Sequence, residues 1–137
     1  MEKRLDENAI AREIVDTAFH VHVDLGPGLL ESAYEAVLAK RLEKRGLRIE
    51  RQKPIPLRID GIFLDEGFRI DLLVNDLVLI ELKAVEQSNP VYKRQLRTYL
   101  RLSGKRLGLL INFGTELFRD GVARVVLGLE EPKVEEA

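Results

Sequence analysis

Apolar side chains recur at steps of three and four residues along the first third of the chain, which predicts two amphipathic helices. The first helix is expected from about Glu7 to Asp24. Gly26-Pro27-Gly28 must end it, because proline removes a backbone donor and glycine permits positive φ. A second helix is expected from about Leu29 to Arg45, with Gly46 at its C-terminal cap.

The pattern then changes to runs that favour β-strands. An edge strand with an irregular middle is expected from Leu47 to Ile59, since two prolines in this segment cannot donate to a ladder. Phe68 to Val74 and Leu77 to Ala84 are apolar runs on either side of Asn75-Asp76, a pair typical of hairpin turns. The middle of the chain therefore predicts three strands.

The last third predicts one more helix and more strand. Ser88-Asn89-Pro90 opens a helix that ends near Leu102, since proline is favoured in a first helical turn. Leu107 to Phe113 is expected to be a buried strand. A final hairpin around Asp120-Gly121 is expected, and its two strands would be residues 116–118 and 122–127.

This order of elements predicts an α/β fold in the broad sense, an α+β mixed β-sheet flanked by helices. The loops are short, so residues 1–129 are expected to form one domain, and the acidic residues 130–137 a flexible tail.

Composition excludes several classes of site. Lys and Arg number 22 against 23 Asp and Glu, and the net charge of −1 argues against a polybasic nucleic-acid binder. The chain contains no cysteine, which excludes disulfides, thiolate zinc sites, iron–sulfur clusters and cysteine nucleophiles. No apolar run approaches the ~18 residues of a membrane span. The first residues lack the apolar core of a signal peptide, so we expect a cytoplasmic protein without a membrane partner.

Ionisable side chains interrupt the two apolar strands of the predicted central hairpin. Glu81 and Lys83 are two residues apart and point to one face, and Asp71 interrupts the neighbouring strand. Two converging carboxylates repel each other unless a cation lies between them, and an oxygen-only ligand set favours Mg²⁺ or Mn²⁺. A second interpretation stays open, in which Glu81 and Lys83 form a half-exposed ion pair and Asp71 lies near a strand end.

The metal hypothesis constrains the hairpin loop. A plain two-residue loop would pair Asp71 with Ile80 and turn its side chain away from Glu81, because directly opposed residues share a face. Pairing Asp71 with Glu81 needs one extra residue, either in a three-residue loop, Asn75-Asp76-Leu77, or in a bulge. We therefore predict such an irregularity.

The third helix carries an amide and a basic surface. Gln95 falls inside the apolar arc beside Tyr99, where it needs a hydrogen-bond partner unless it lies at a wet boundary. Six Lys or Arg and no Asp or Glu occur between Gln87 and Thr115, a pattern that suits either phosphate binding or a solvated surface. The basic arc of the helix consists of Lys93, Arg94, Arg97 and Arg101.

Three side chains of the first two helices are further candidates. His22 lies near the apolar stripe, where a histidine is either a site residue or a satisfied structural one. Glu31 lies in the first turn of the second helix, where the helix dipole alone favours an acid. Tyr34 on the same helix is expected in the core rather than in catalysis.

These residues together resemble a known family. Gly28-Leu29-Leu30-Glu31-Ser32-Ala33-Tyr34 resembles the pattern that names the GxxExxY protein family, a compact branch of the PD-(D/E)XK nuclease superfamily. The superfamily pattern is matched by Asp71 followed by Glu81-Leu82-Lys83. RecB-like members are similar in a helix-borne histidine, here His22, and in a Gln-x-x-x-Tyr helix, here Gln95 to Tyr99.

The resemblance implies a restriction-endonuclease-like core and metal-dependent hydrolysis of phosphodiester bonds. It implies that Asp71 and Glu81 hold Mg²⁺ or Mn²⁺, with Glu31 and the backbone carbonyl of Leu82 as further ligands. Lys83 would orient the attacking water or stabilise the transition state.

The resemblance also implies roles around the site. Gln95 would join the catalytic residues, while His22, Tyr34 and Tyr99 would support them. The basic arc of the third helix, with Arg48 and Arg51 as further candidates, would bind backbone phosphates.

The expected partner is nucleic acid, DNA rather than RNA, in repair, processing or defence. Because the net charge is near neutral, a homodimer or a larger protein partner could supply part of the nucleic-acid-binding surface. A catalytically inactive module on the same fold, binding nucleic acid or protein, stays open as the alternative.

Overall fold

A computed structural model describes residues 5–129 as five strands and three α-helices with one short 3₁₀ helix. The strands form one sheet in the order β1-β2-β3-β4-β5, in which β3 and β4 are parallel and the other neighbours antiparallel. The predicted mixed sheet with flanking helices is confirmed. The elements are α1 (Glu7–Leu25), α2 (Glu31–Lys44), β1 (Ile49–Ile59), β2 (Ile62–Val74), β3 (Val78–Lys83), α3 (Pro90–Ser103), β4 (Leu107–Asn112), the 3₁₀ helix (Phe118–Gly121) and β5 (Val122–Val126).

Side chains and glycines define the helix ends as the sequence suggests. The carboxylate of Asp6 accepts the N–H of Ala9 at the start of α1, and the Asn89 side chain caps α3 in the same way. Gly26 (φ 66°) ends α1, and Gly104 (φ 72°) ends α3 in the left-handed conformation.

Helices cover both faces of the sheet. On one face α1 and α2 pack against alternate residues of β3, among them Val78, Ile80 and Leu82. On the other face Leu96 and Leu100 of α3 belong to a second buried cluster, which includes Leu79. Because side chains alternate along a strand, Glu81 and Lys83 lie on the α3 face.

The first hairpin is longer than the sequence indicated. The predicted irregular edge strand is confirmed, since β1 lies at the sheet edge and its register with β2 shifts between Ile55 and Leu57. β2 begins at Ile62 rather than at the predicted Phe68. Gly67 interrupts the β-favouring pattern, so the first part of this strand was not recognised in the sequence. Glycine occurs at this irregularity because a Cβ there would lie 2.5 Å from Cβ of Leu57.

The predicted final hairpin is wrong. The expected strand at residues 116–118 does not form, and β5 pairs with β4 instead. Oγ1 of Thr115 donates to the carbonyl of Leu117 at 2.8 Å, and a Cβ at Gly121 would lie 2.2 Å from the carbonyl oxygen of Asn112. These close approaches favour a tight turn and a 3₁₀ helix over an extended strand. The tail at 130–137 lies outside the described residues.

The central hairpin has the predicted three-residue loop. Val74 pairs with Val78, which leaves Asn75, Asp76 and Leu77 outside the ladder. Asn75 and Asp76 adopt left-handed φ values of 51° and 56°, which asparagine and aspartate tolerate better than most residues. The extra residue restores the register that the metal hypothesis requires.

Within residues 5–129, no helix combines the length and the apolar character that a membrane crossing needs.

Candidate active site

The site lies where β2 and β3 separate. Their ladder ends at the pair Leu72 and Ile80, and the next residue of each strand is an acid, Asp71 or Glu81. Oδ2 of Asp71 accepts the backbone N–H of Leu82 at 2.8 Å, and the N–H of Asp71 donates to Oε1 of Glu81 at 3.3 Å. The two carboxylates thus accept hydrogen bonds from backbone N–H groups that a continued ladder would pair with carbonyls. The side chains of Asp71 and Glu81 therefore lie together at the end of the ladder.

Burial disfavours the ionised form of these two acids. Glu81 is only 6% exposed, and this burial, together with the charge of Asp71, raises its pKa to about 8. Burial also raises the pKa of Asp71, although hydrogen bonds from Leu82 and Gln52 act against it. A cation placed here would favour the charged form of both groups.

Lys83 lies beside the acids without pairing with them. Its Nζ lies 4.7 Å from the centroid of the Tyr92 ring on α3, a geometry that stabilises an ammonium group by cation–π attraction. Lys83 and Glu81 form no salt bridge in the described part of the chain. The arrangement therefore differs from the half-exposed ion pair that the sequence left open.

The loop before α2 brings a third acid to the rim. Glu31 lies at the start of α2 and much of its side chain is exposed. The partial burial of its carboxyl group, and then the charge of Asp71, raise its pKa. The hydroxyl of Tyr34 donates to the carbonyl of Gly26 and accepts the N–H of Leu29 at 3.1 Å. Tyr34 is thus a core residue, as expected, and it fixes the loop that leads to Glu31.

Two site residues were missed from the sequence. Glu35, 6% exposed, lies one helical turn after Glu31, and its Oε2 accepts Nε and Nη2 of Arg51 at 3.1 and 3.0 Å. Nε2 of Gln52 donates to Oε1 of Glu35 at 2.6 Å and to Oδ1 of Asp71 at 3.2 Å. The i,i+4 spacing of the two glutamates was a signal for Glu35. No sequence pattern distinguishes Gln52.

The donor set is compatible with Mg²⁺ or Mn²⁺. Within residues 5–129 no group of three or more His, Asp or Glu side chains is arranged to hold a metal ion. Mg²⁺, however, is commonly bound by one or two carboxylates, with waters and substrate phosphates completing its shell. Asp71 and Glu81 supply that number, and Oε2 of Glu81 accepts no hydrogen bond from any described residue.

Helix α3 borders the site with aromatic and polar side chains. Tyr99 stacks on Phe68 with ring centroids 4.4 Å apart, and burial followed by the charge of Glu81 raises its pKa. Gln95 is exposed rather than buried, and its side chain makes no hydrogen bond to residues 5–129. Gln95 therefore lies at a solvent-exposed boundary, as one of the two interpretations of the sequence held. Its catalytic role stays a prediction.

The basic arc of α3 is exposed and makes no ion pair within the described chain. Its members are Lys93, Arg94, Arg97 and Arg101. Of the two further candidates, Arg48 is also exposed, whereas Arg51 is engaged by Glu35.

His22 contacts the segment between β4 and β5. It is buried, and its Nε2 lies 2.8 Å from the carbonyl oxygen of Thr115. Its ring centroid lies 5.9 Å from that of Phe118. These contacts match the satisfied structural histidine that the sequence left as an alternative.

Comparisons with known proteins add a family. A family model described as the PD-(D/E)XK nuclease superfamily matches residues 8–125. No curated protein matches the chain. Among solved structures the chain is similar to the crystal structure of SSO0001, with 17% identity and a TM-score of 0.44, over 88% of this chain and 79% of that chain. That likeness is too weak to support any statement about function.

Proposed function

The chain belongs to the PD-(D/E)XK nuclease superfamily, and from this membership we propose that it is a metal-dependent nuclease of the GxxExxY type. Its reaction is the hydrolysis of phosphodiester bonds, in DNA rather than RNA, with Mg²⁺ or Mn²⁺ as the cofactor. The observation that carries the proposal is the pair Asp71 and Glu81, brought together where two strands separate. Such a buried pair is costly as two free anions and is stabilised by a divalent cation.

The positions of the acids support the following roles. Asp71 and Glu81 would hold the ion, with the backbone carbonyl of Leu82 as a further ligand, and Glu31 would approach from the rim of the site. When bound, the divalent ion polarises a phosphoryl oxygen and lowers the pKa of a water molecule.

Lys83 supplies a fixed positive charge on the same strand as Glu81. The Tyr92 ring lies 4.7 Å from its ammonium nitrogen and favours that position by cation–π attraction. From this position Lys83 stabilises the negative charge that develops on the phosphate, or orients the attacking water. Gln95 and Tyr99 on α3 border the same face and position the substrate strand.

The exposed basic arc of α3 binds the backbone of the nucleic acid. Its four cations have no acidic partner within residues 5–129, so they are available to phosphates. Contacts of this kind position a substrate without reading its sequence.

The test is cleavage of plasmid DNA, single-stranded DNA and RNA with Mn²⁺. We expect the chain to cleave DNA, and expect Glu81→Ala and Lys83→Ala to abolish cleavage. Asp65→Ala removes an exposed acid from the first hairpin, so it matches the charge change of Glu81→Ala and should keep activity. Cleavage that persists in both site variants would overturn the proposal.

One observation favours a second candidate, a binding module without catalysis on the same fold. Within the described residues no three acids are arranged around a common point as a complete protein ligand set would be. Such a module would bind nucleic acid or protein and cleave nothing, and Glu81→Ala would leave binding unchanged.

A further inference from the structure

Strand β1 contains a backbone conformation that its residue disfavours. Gln52 has a φ of 50°, in the left-handed region that glycine, asparagine and aspartate tolerate and glutamine seldom adopts. Its neighbours Arg51 and Lys53 keep regular partners in β2, namely Leu72 and Ile70. The distortion is therefore confined to Gln52, at the point of β1 that faces Asp71. Strain of this kind persists only where surrounding contacts hold it, and it is frequent at functional sites.

The side chain of Gln52 joins two acids. Its Nε2 donates one hydrogen bond to Oε1 of Glu35 at 2.6 Å and another to Oδ1 of Asp71 at 3.2 Å. Because carboxylates only accept, the amide must present its two N–H groups, and not its oxygen, to this pair. Both oxygens of Asp71 are then engaged, one by Gln52 and the other by the N–H of Leu82.

Glu35 anchors this bridge from α2. It is buried, and its second carboxylate oxygen is held by two nitrogens of Arg51, the residue before Gln52. The guanidinium of Arg51 offsets part of the cost of burying this carboxylate. The amide of Gln52 is thus hydrogen-bonded to a carboxylate that Arg51 in turn holds.

We propose that Gln52 is a positioning residue that orients the carboxylate of Asp71 for the metal ion, with Glu35 and Arg51 as its support. The inference rests on the proposed function and deepens it. Groups that hydrogen-bond a metal ligand fix its orientation, and their removal typically lowers metal affinity or activity about 10–100-fold. The left-handed backbone at Gln52 is what allows a strand residue to direct its amide at both acids.

Gln52→Gly separates positioning from folding. Glycine relieves the backbone at φ 50°, which offsets part of the stability lost with the two hydrogen bonds, so the variant should still unfold in urea in one cooperative transition. The variant lacks the amide, so the Kd for Mn²⁺, measured by calorimetry on the full chain, should rise about 10–100-fold. Raising the Mn²⁺ concentration by the same factor should restore cleavage.

Asp60→Gly is the matched control. Asp60 has a φ of 49° in the turn between β1 and β2, so the same backbone relief occurs away from the acids. We expect its Mn²⁺ affinity to equal that of the unaltered chain. Gln52→Asn is a second probe, because asparagine tolerates this φ and keeps the amide but is one methylene too short to span both acids. Its Mn²⁺ affinity should fall as well.

The outcomes distinguish this inference from the proposed function. If the unaltered chain binds Mn²⁺ and cleaves DNA while Gln52→Gly binds Mn²⁺ equally well, the positioning role is overturned and the nuclease remains. If the unaltered chain neither binds Mn²⁺ nor cleaves, both are overturned. Weaker Mn²⁺ binding in Gln52→Gly and Gln52→Asn, with the control unchanged, supports the positioning role.

Discussion

The backbone N–H of Asp71 donates to Oε1 of Glu81 at 3.3 Å, immediately beyond the last paired residues of β2 and β3. One acid therefore contacts the strand that carries the other, and neither can move without breaking a hydrogen bond. This coupling places two carboxyl groups close together in a buried setting, which disfavours the ionised form of both. The protonation of these two acids consequently affects both the stability of the fold and its affinity for a metal ion.

We expect the stability of the metal-free protein to fall as the pH rises above about 5. The folded-state pKa of Glu81 is about 8, above the value of 4.5 for an unperturbed glutamate, so between these values the folded chain binds more protons than the unfolded chain. Each pKa unit corresponds to about 1.4 kcal/mol, so the loss across the window is on the order of a few kcal/mol. Urea unfolding in EDTA at pH 5 to 9 measures it.

Glu81→Gln is the control for this pH dependence. The amide has nearly the same shape and does not titrate, so the decline between pH 5 and 9 should be much shallower. An equal decline in both proteins would show that another group is responsible.

We expect Mg²⁺ and Mn²⁺ to stabilise the fold. A ligand at 100 times its Kd that binds only the folded state adds about 2.7 kcal/mol to the free energy of unfolding. The effect should grow from pH 6 to pH 9, because protons compete with the ion for Glu81. Thermal unfolding with and without the ion measures it. Asp71→Asn should remove most of the stabilisation, and Asp65→Asn, an exposed acid of the first hairpin, should retain it.

The pairing of the two acids was predictable because strand geometry has a strict parity. Moving the register by one residue turns a side chain to the opposite face, so a shared site for Asp71 and Glu81 required one extra loop residue. The structure has that residue, Leu77, outside the ladder. Local patterns also predicted the order of the elements from α1 to β4, but not the 3₁₀ helix before β5.

Long-range hydrogen bonds were not predictable in the same way. Gln52 and Glu35 are 17 residues apart in sequence and meet only through the packing of α2 on β1. A left-handed glutamine in a strand is opposed by its own propensity, so no single-sequence signal marks it. The 3₁₀ helix before β5 likewise depends on contacts of Gly121 with Asn112, at the end of another strand.

We expect Tyr34→Phe to destabilise the fold by about 1–3 kcal/mol. The hydroxyl bonds both the carbonyl of Gly26 and the N–H of Leu29, and its loss leaves these groups without that partner. The phenylalanine ring keeps the stack on Phe113, whose centroid lies 4.6 Å away. Urea unfolding measures the change. Tyr99→Phe is the matched control, because its hydroxyl makes no hydrogen bond to residues 5–129, and its stability should change little.

The basic arc of α3 should set the salt dependence of nucleic-acid binding. Each phosphate contact that is lost should reduce the slope of log K against log salt by about 0.7–0.9. The double variant Arg94→Ala/Arg97→Ala should therefore reduce the slope by roughly 1.4–1.8, if both side chains contact phosphates. Fluorescence anisotropy in Ca²⁺, across a series of salt concentrations, measures the slope. Arg12→Ala/Lys40→Ala is the charge-matched control: these exposed residues lie on α1 and α2, which cover the opposite face of the sheet, and their removal should leave the slope unchanged. An equal loss of slope in both proteins would show that net charge, and not the α3 surface, governs binding.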